Sequence, residues 1–245
     1  MFGVARLNTL AKAAAAPSGV RVTNSTWTTN YSGTGGSASA GKFGNAIATV
    51  ATSNNYHRLA FGNTSAGATY WQSTTPMCIE FWMYISFTPS NSNQCVWATN
   101  SDIFSSLATA GGGDLSLSWN TSQGTWKLYD GSASTLVNLT IPTATWQHFA
   151  LQVNSSGRLS IWQGGTLRVN NVVYSTSTNQ PAFYVGKGIN GSNNNSVRFD
   201  EFRVTYGTRY TGTSSLTVPT AAFVNDATTL GLFHCESTTQ TDDTA

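Results

Sequence analysis

The residues best able to do chemistry crowd into one stretch, SVRFDEFRVTYGTRYTG, Ser196 to Gly212. Only 9% of the 245 residues are charged, yet this run holds Asp200 and Glu201 together with Arg198, Arg203 and Arg209. Two acids beside three arginines could form a catalytic centre, hold a metal, or pair to close the last strand of a fold. Adjacent residues of an extended strand point to opposite faces. Asp200 and Glu201 therefore share a face only if a bulge re-aims one of them.

The remaining reactive side chains are scattered. His57, His148 and His234 lie in no triad-like neighbourhood, and no G-x-S-x-G elbow occurs. The three cysteines, Cys78, Cys95 and Cys235, cannot all pair within one chain, and their spacing fits neither a disulfide framework nor a zinc site. They read as buried thiols. Asp102, Asp114 and Asp130 sit in loop-like contexts, none of them an acid-rich D-x-D-x-D run. The expectation is a chain without a catalytic centre, without a cofactor and without a metal.

Composition narrows the class further. A formal net charge of +2 with no basic cluster excludes nucleic acid as the expected partner. No apolar run approaches the roughly 18 residues of a membrane span, so no membrane is expected either. Twelve Phe, nine Tyr and eight Trp exclude a disordered chain, because disordered segments lack aromatics.

Two regions must position these residues. Residues 1–19 read as an exposed arm in which LNTLAKAAAA makes about two helical turns, closed by Pro17 and Gly19. Arg6, Asn8 and Lys12 break its apolar run, so it has no proper signal-peptide core. Met1, Phe2, Val4, Leu7 and Leu10 are its candidate anchoring residues. Residues 20–245 alternate with period two in short runs between Gly, Asn and Ser, which predicts an antiparallel sandwich of about a dozen strands.

Met77 to Ile85 is the clearest strand. Met77, Ile79, Phe81, Met83 and Ile85 fall on the core face, and Glu80, Trp82 and Tyr84 on the other, a candidate subunit or partner face. Leu115–Trp119, NTSQG and TWKLYDG read as a hairpin, and WQHFALQV turns at NSSG into RLSIW. In the closing stretch Val197 and Phe199 share one parity, while Phe202, Val204 and Tyr206 share the other. That slip predicts either a bulge at Asp200-Glu201 or a strand whose two ends pack on opposite sides. TTLGLFHCE reads as a final strand completing the sandwich within the chain, beside its N-terminal strand.

AGKFGNAI (40–47), CIEFWMYI (78–85), TWQHFALQVNSSGRLSIWQGG (145–165), FYVGKG (183–188) and VRFDEFRVTYGTRYTG (197–212) follow one another in a telling order. This order resembles the laminin-G-like branch of the concanavalin A-like lectin/glucanase jelly rolls, in the versions found in tailed-phage virion proteins. The closing signature of those versions corresponds to Asp200-Glu201-Phe202-Arg203-Val204, then Arg209-Tyr210-Thr211, then the Pro-containing exit LTVPTAAF at 216–223. The resemblance implies an all-β, two-sheet antiparallel jelly-roll sandwich, preceded by the short N-terminal arm.

The glucanases of that superfamily carry Glu, Asp and Glu at alternating positions of one strand. Nothing here matches, so the expectation is that the chain is not an enzyme, with glycoside hydrolysis a distant third reading. Laminin-G-like domains can bind calcium at one rim, which leaves a calcium ion at Asp102, Asp114 or Asp130 as a weak expectation. The first expectation is a virion protein, capsid-decorating or tail-associated, held by the arm to other virion proteins as a homo-oligomer, a trimer by analogy. The second is an adhesin for cell-surface glycan using Tyr56, Trp71, Trp119 and Trp162, since sugars stack on exposed aromatics. Asp200, Glu201, Arg203 and Arg209 then read as a structural ion-pair cluster that fixes register where the apolar pattern slips.

Overall fold

Met77–Ile85 runs through the middle of the molecule, flanked by a strand on each side. In the computed structural model, residues 27–30, 38–49, 56–60, 76–90, 94–99, 115–130, 134–174, 182–186, 196–211 and 215–236 are described. They form fifteen strands and no helix. The first eight are β1 (Trp27–Asn30), β2 (Ala38–Ala40), β3 (Asn45–Ala48), β4 (Tyr56–Ala60), β5 (Met77–Ile85), β6 (Cys95–Ala98), β7 (Leu115–Asn120) and β8 (Thr125–Asp130). The rest are β9 (Ser134–Leu139), β10 (Trp146–Val153), β11 (Arg158–Gln163), β12 (Thr166–Val173), β13 (Ala182–Val185), β14 (Val197–Tyr206) and β15 (Thr229–Phe233).

They build two antiparallel sheets. One has the order β1-β4-β13-β6-β7-β8-β9, the other β12-β11-β10-β5-β14-β3-β2, with β15 also paired to β14. This is the jelly-roll sandwich that the sequence predicts. The anchor residues Met1, Phe2, Val4, Leu7 and Leu10 lie outside the described residues, as do Trp71, Asp102 and Asp114.

The core between the sheets is aromatic at its centre. Phe81 stacks on Phe149 at 5.6 Å and on Phe202 at 5.7 Å, and it meets Trp97 and Phe183 of the opposite sheet at 6.1 and 5.2 Å. Every core-face residue named for β5 is fully buried. Burial of such side chains is worth roughly 1.5–3 kcal/mol each, and it fixes which face of each strand points outward.

The predicted bulge is present. Asp200 pairs with Trp82 and Arg203 with Glu80, so Glu201 and Phe202 oppose Phe81 alone. Glu201 adopts a positive φ of 49° at this step. The extra residue returns Phe202 and Val204 to the core and turns both Asp200 and Glu201 toward the outer face. β15 pairs with β14 over Phe202–Thr205, while β3 takes the same edge at Arg198 and Phe199. The last strand therefore sits against β14, not beside the N-terminal strand.

Candidate functional site

The outer face of the eight-stranded sheet carries the charged residues, in cross-strand rows dictated by register. Trp162, Ala150, Glu80 and Arg203 form one row. His148, Trp82 and Asp200 form the next, and Trp146, Tyr84 and Arg198 the one beyond. The chain between β14 and β15 folds back over the first two rows and leaves the third partly open.

Glu80 is the hub of the covered part. Its Oε2 accepts from Arg203 Nη2 at 2.8 Å and Nε at 3.1 Å, and lies 3.1 Å from Arg209 Nε. Its Oε1 accepts from the Tyr210 hydroxyl and stands 3.6 Å from His148 Nε2. Burial alone would raise this carboxyl, but His148, Arg203, Tyr210 and Arg209 outweigh it and bring the pKa down to about 2. Tyr210 is pushed up, first by its own burial and then by the Glu80 charge.

Other bonds pin the covering segment. Gln152 Oε1 accepts the Arg209 and Tyr210 amides at 2.7 and 2.8 Å, and its Nε2 donates to the Tyr210 carbonyl. Arg209 also reaches Asp226 at 2.8 Å, and the Leu216 amide donates to the Gly165 carbonyl. Phe223 packs edge-on against His148 and lies under the Arg203 guanidinium, 4.3 Å from its ring centroid.

The two acids of the bulge do different work from that expected. Asp200 Oδ2 accepts the Lys42 and Phe43 amides at 2.6 and 2.8 Å, which holds the β2–β3 turn on the sheet. Gly41 permits this approach, since a Cβ there would lie 2.7 Å from that oxygen. Burial, with the neighbouring Glu201 charge adding to it, raises Asp200 to about 7 against those amides. Glu201 accepts the Phe223 amide at 2.5 Å and meets His234 Nδ1 at 2.8 Å, and its pKa is raised chiefly by burial. The expected cluster of Asp200, Glu201, Arg203 and Arg209 is thus corrected. The arginines pair with Glu80 and Asp226, and the bulge acids cap backbone amides and a histidine.

Two further placements differ from expectation. Glu80 and Trp82, read as a partner face, are 0% and 4% exposed, because the chain's own β14–β15 segment and the β2–β3 turn cover them. Trp162, placed next to a turn and expected to be open, is 1% exposed beneath Tyr210. Trp119 is half-buried at the end of β7, edge-on to Trp126. Tyr56 is in β4 opposite Asn30, and Asp130 ends β8.

The open row is the arrangement that sequence reading only half found. Tyr84 and Trp146 are both half-buried, with ring centroids 5.4 Å apart and planes tilted by 52°. Arg198 lies over the Tyr84 ring at 5.0 Å. Lys42 is exposed and sits 4.8 Å above Trp82, one pleat step along β5. A rigid ladder fixes these rings, so their spacing does not depend on a loop.

The concanavalin A-like lectin/glucanase superfamily profile matches residues 54–213. With well over half the chain matched, this protein belongs to that family. No curated protein sequence matches it. Among solved structures it is similar to domain 4 of an extracellular arabinanase from Geobacillus stearothermophilus, at 17% identity and TM-score 0.47, covering 75% of this chain and 78% of that one. It is also similar to an alginate lyase from Corynebacterium sp., at 13% identity and TM-score 0.49, covering 73% and 83%. A third is the Trypanosoma rangeli sialidase, at 14% identity and TM-score 0.48, where 74% of this chain spans only 30% of that one.

The expectation that the chain is not an enzyme is corrected: the structures it is similar to include an arabinanase domain, a sialidase and an alginate lyase. At such identities the likeness is one of fold.

Proposed function

We propose that this chain is a carbohydrate-recognition sandwich that engages glycan on the open row of its eight-stranded sheet. The observation that carries the reading is the Tyr84–Trp146 pair, two partly exposed rings 5.4 Å apart on adjacent strands of a lectin/glucanase-superfamily fold. Tilted aromatic rings offer apolar faces to the C–H faces of a sugar. Ser86 and Ser196, joined by a 2.8 Å hydrogen bond, follow Ile85 and precede Val197 and supply polar groups at the same end of the sheet. Binding measured on a glycan array and then by calorimetry tests this. Trp146→Ala should weaken the best ligand by about tenfold or more, about 1.4 kcal/mol. Unchanged affinity in that variant would contradict the reading.

A second reading concerns where the sandwich is displayed. The closing signature Asp200-Glu201-Phe202-Arg203-Val204 with Arg209-Tyr210-Thr211 resembles that of tailed-phage virion proteins, which supports a virion protein held by residues 1–19. Immunogold labelling of particles with antibody against residues 20–245 tests it. Label on head or tail is the expected result, and unlabelled particles would oppose it.

A further inference from the structure

The open row carries more positive charge than a neutral sugar needs. Arg198 makes no ion pair among the described residues. Its guanidinium lies on the Tyr84 ring and donates a long bond, 3.4 Å, to the Ala40 carbonyl. Lys42 likewise has no ion pair among the described residues, and its ammonium is spread over the Trp82 and Phe43 rings at 4.8 and 5.7 Å. Among the described residues two carboxylates approach this corner, and each accepts backbone amides of the β2–β3 turn: Asp200, buried, takes those of Lys42 and Phe43, and Glu236 takes that of Asn45 at 3.1 Å. In a chain with so few charges, two cations with no ion pair among the described residues at the rim of the aromatic row are a local excess.

From this we infer that the row binds an acidic glycan, one whose sugars bear carboxylates. The inference rests on the carbohydrate reading above and adds the class of ligand. A sugar ring seated across Tyr84 and Trp146 places its substituents along the row. Arg198 stands on one side of Tyr84 and Lys42 one pleat step away. The Arg198 guanidinium spends one long bond on the Ala40 carbonyl and has further N–H donors, and a planar fork matches a carboxylate with two parallel hydrogen bonds. The Lys42 ammonium adds a point charge without that geometry. Neutral glycans would use the rings alone.

The test measures binding of polygalacturonate and of its carboxyl-reduced, neutral counterpart to the full chain, by calorimetry at low salt and again at high salt. Three variants are compared: Arg198→Gln, Arg198→Lys and Trp146→Ala. Melting curves for each variant confirm that the sandwich is folded. The expected result is a preference of about tenfold or more for the carboxylated polymer. That preference should be lost in Arg198→Gln, incompletely restored in Arg198→Lys, and weakened by salt. Trp146→Ala should reduce binding of both polymers. Equal binding of the two polymers by the native chain, or a preference that survives Arg198→Gln, would overturn the acidic-glycan inference while leaving carbohydrate recognition standing. Failure of either polymer to bind, together with an empty neutral-glycan array, would overturn both.

Discussion

Glu80 and Arg203 face each other across adjacent strands, joined by two hydrogen bonds of 2.8 and 3.1 Å with both side chains at most 5% exposed. Arg203 is fixed to the sheet, whereas Arg209 and Tyr210, which share the same carboxylate, belong to the covering segment. One anion thus ties the β14–β15 crossing to the sheet beneath it. Removing it strands the Arg203 guanidinium in a dry site, while Arg209 keeps Asp226, and breaking a buried pair from one side costs about 3–5 kcal/mol. Glu80→Gln should show a loss of that size in urea unfolding, with the segment opening before the sheet.

Two carboxyls give the stability a pH profile with limits on both sides. Glu80 is depressed to about 2 from an ordinary 4.5, so its contribution is complete above 4.5 and drains away as pH falls toward 2. Asp200 is raised to about 7 from an ordinary 3.8, so its contribution is complete below 3.8 and is lost as pH climbs through 7. Asp200→Asn keeps an oxygen for the Lys42 and Phe43 amides and removes the buried charge. It should leave stability at pH 5 little changed and raise it at pH 8 by about 1–2 kcal/mol. Thermal melts at the two pH values check this, and a loss at pH 8 would contradict it.

Trp162 and Trp146 should separate stability from binding. Trp162 is enclosed beneath Tyr210, and its truncation to Ala should cost about 3–5 kcal/mol by opening a cavity. Trp146 is half-buried, and the same change there should cost roughly 1 kcal/mol while weakening glycan binding about tenfold or more. Parallel unfolding and binding curves on the two variants make the comparison.

The thiols should be silent in the native protein. Cys78, Cys95 and Cys235 are free and buried, and burial pushes the Cys95 thiol up to about 12. A disulfide reagent at pH 8 should titrate none of them until denaturant is added. Fast labelling of the native chain would show that the sheet opens more readily than its packing suggests.

Much of this was legible in the residues. The parity slip between Phe199 and Phe202 calls for an extra residue or for strand ends packed on opposite sides, and the bulge stands at that place. The core face of β5 and the β7–β8 hairpin follow from alternation and turn chemistry in the same way. Contacts between distant segments were not legible. Glu80 and Arg203 are 123 positions apart in the chain, and no local pattern says which strands become neighbours. Trp162 looked open because it precedes a turn, yet the segment covering it lies about fifty residues downstream and leaves no mark on its neighbourhood. Trp146 does not stand out in the sequence, because its value depends on standing opposite Tyr84.

The most direct test of the central claim is a crystal structure of the chain soaked with the oligosaccharide that binds best. Sugar density across the Tyr84 and Trp146 rings, with a polar or acidic substituent reaching Arg198, is the predicted result. Density at the Trp119 hairpin or on the seven-stranded sheet, with the open row bare, would contradict it.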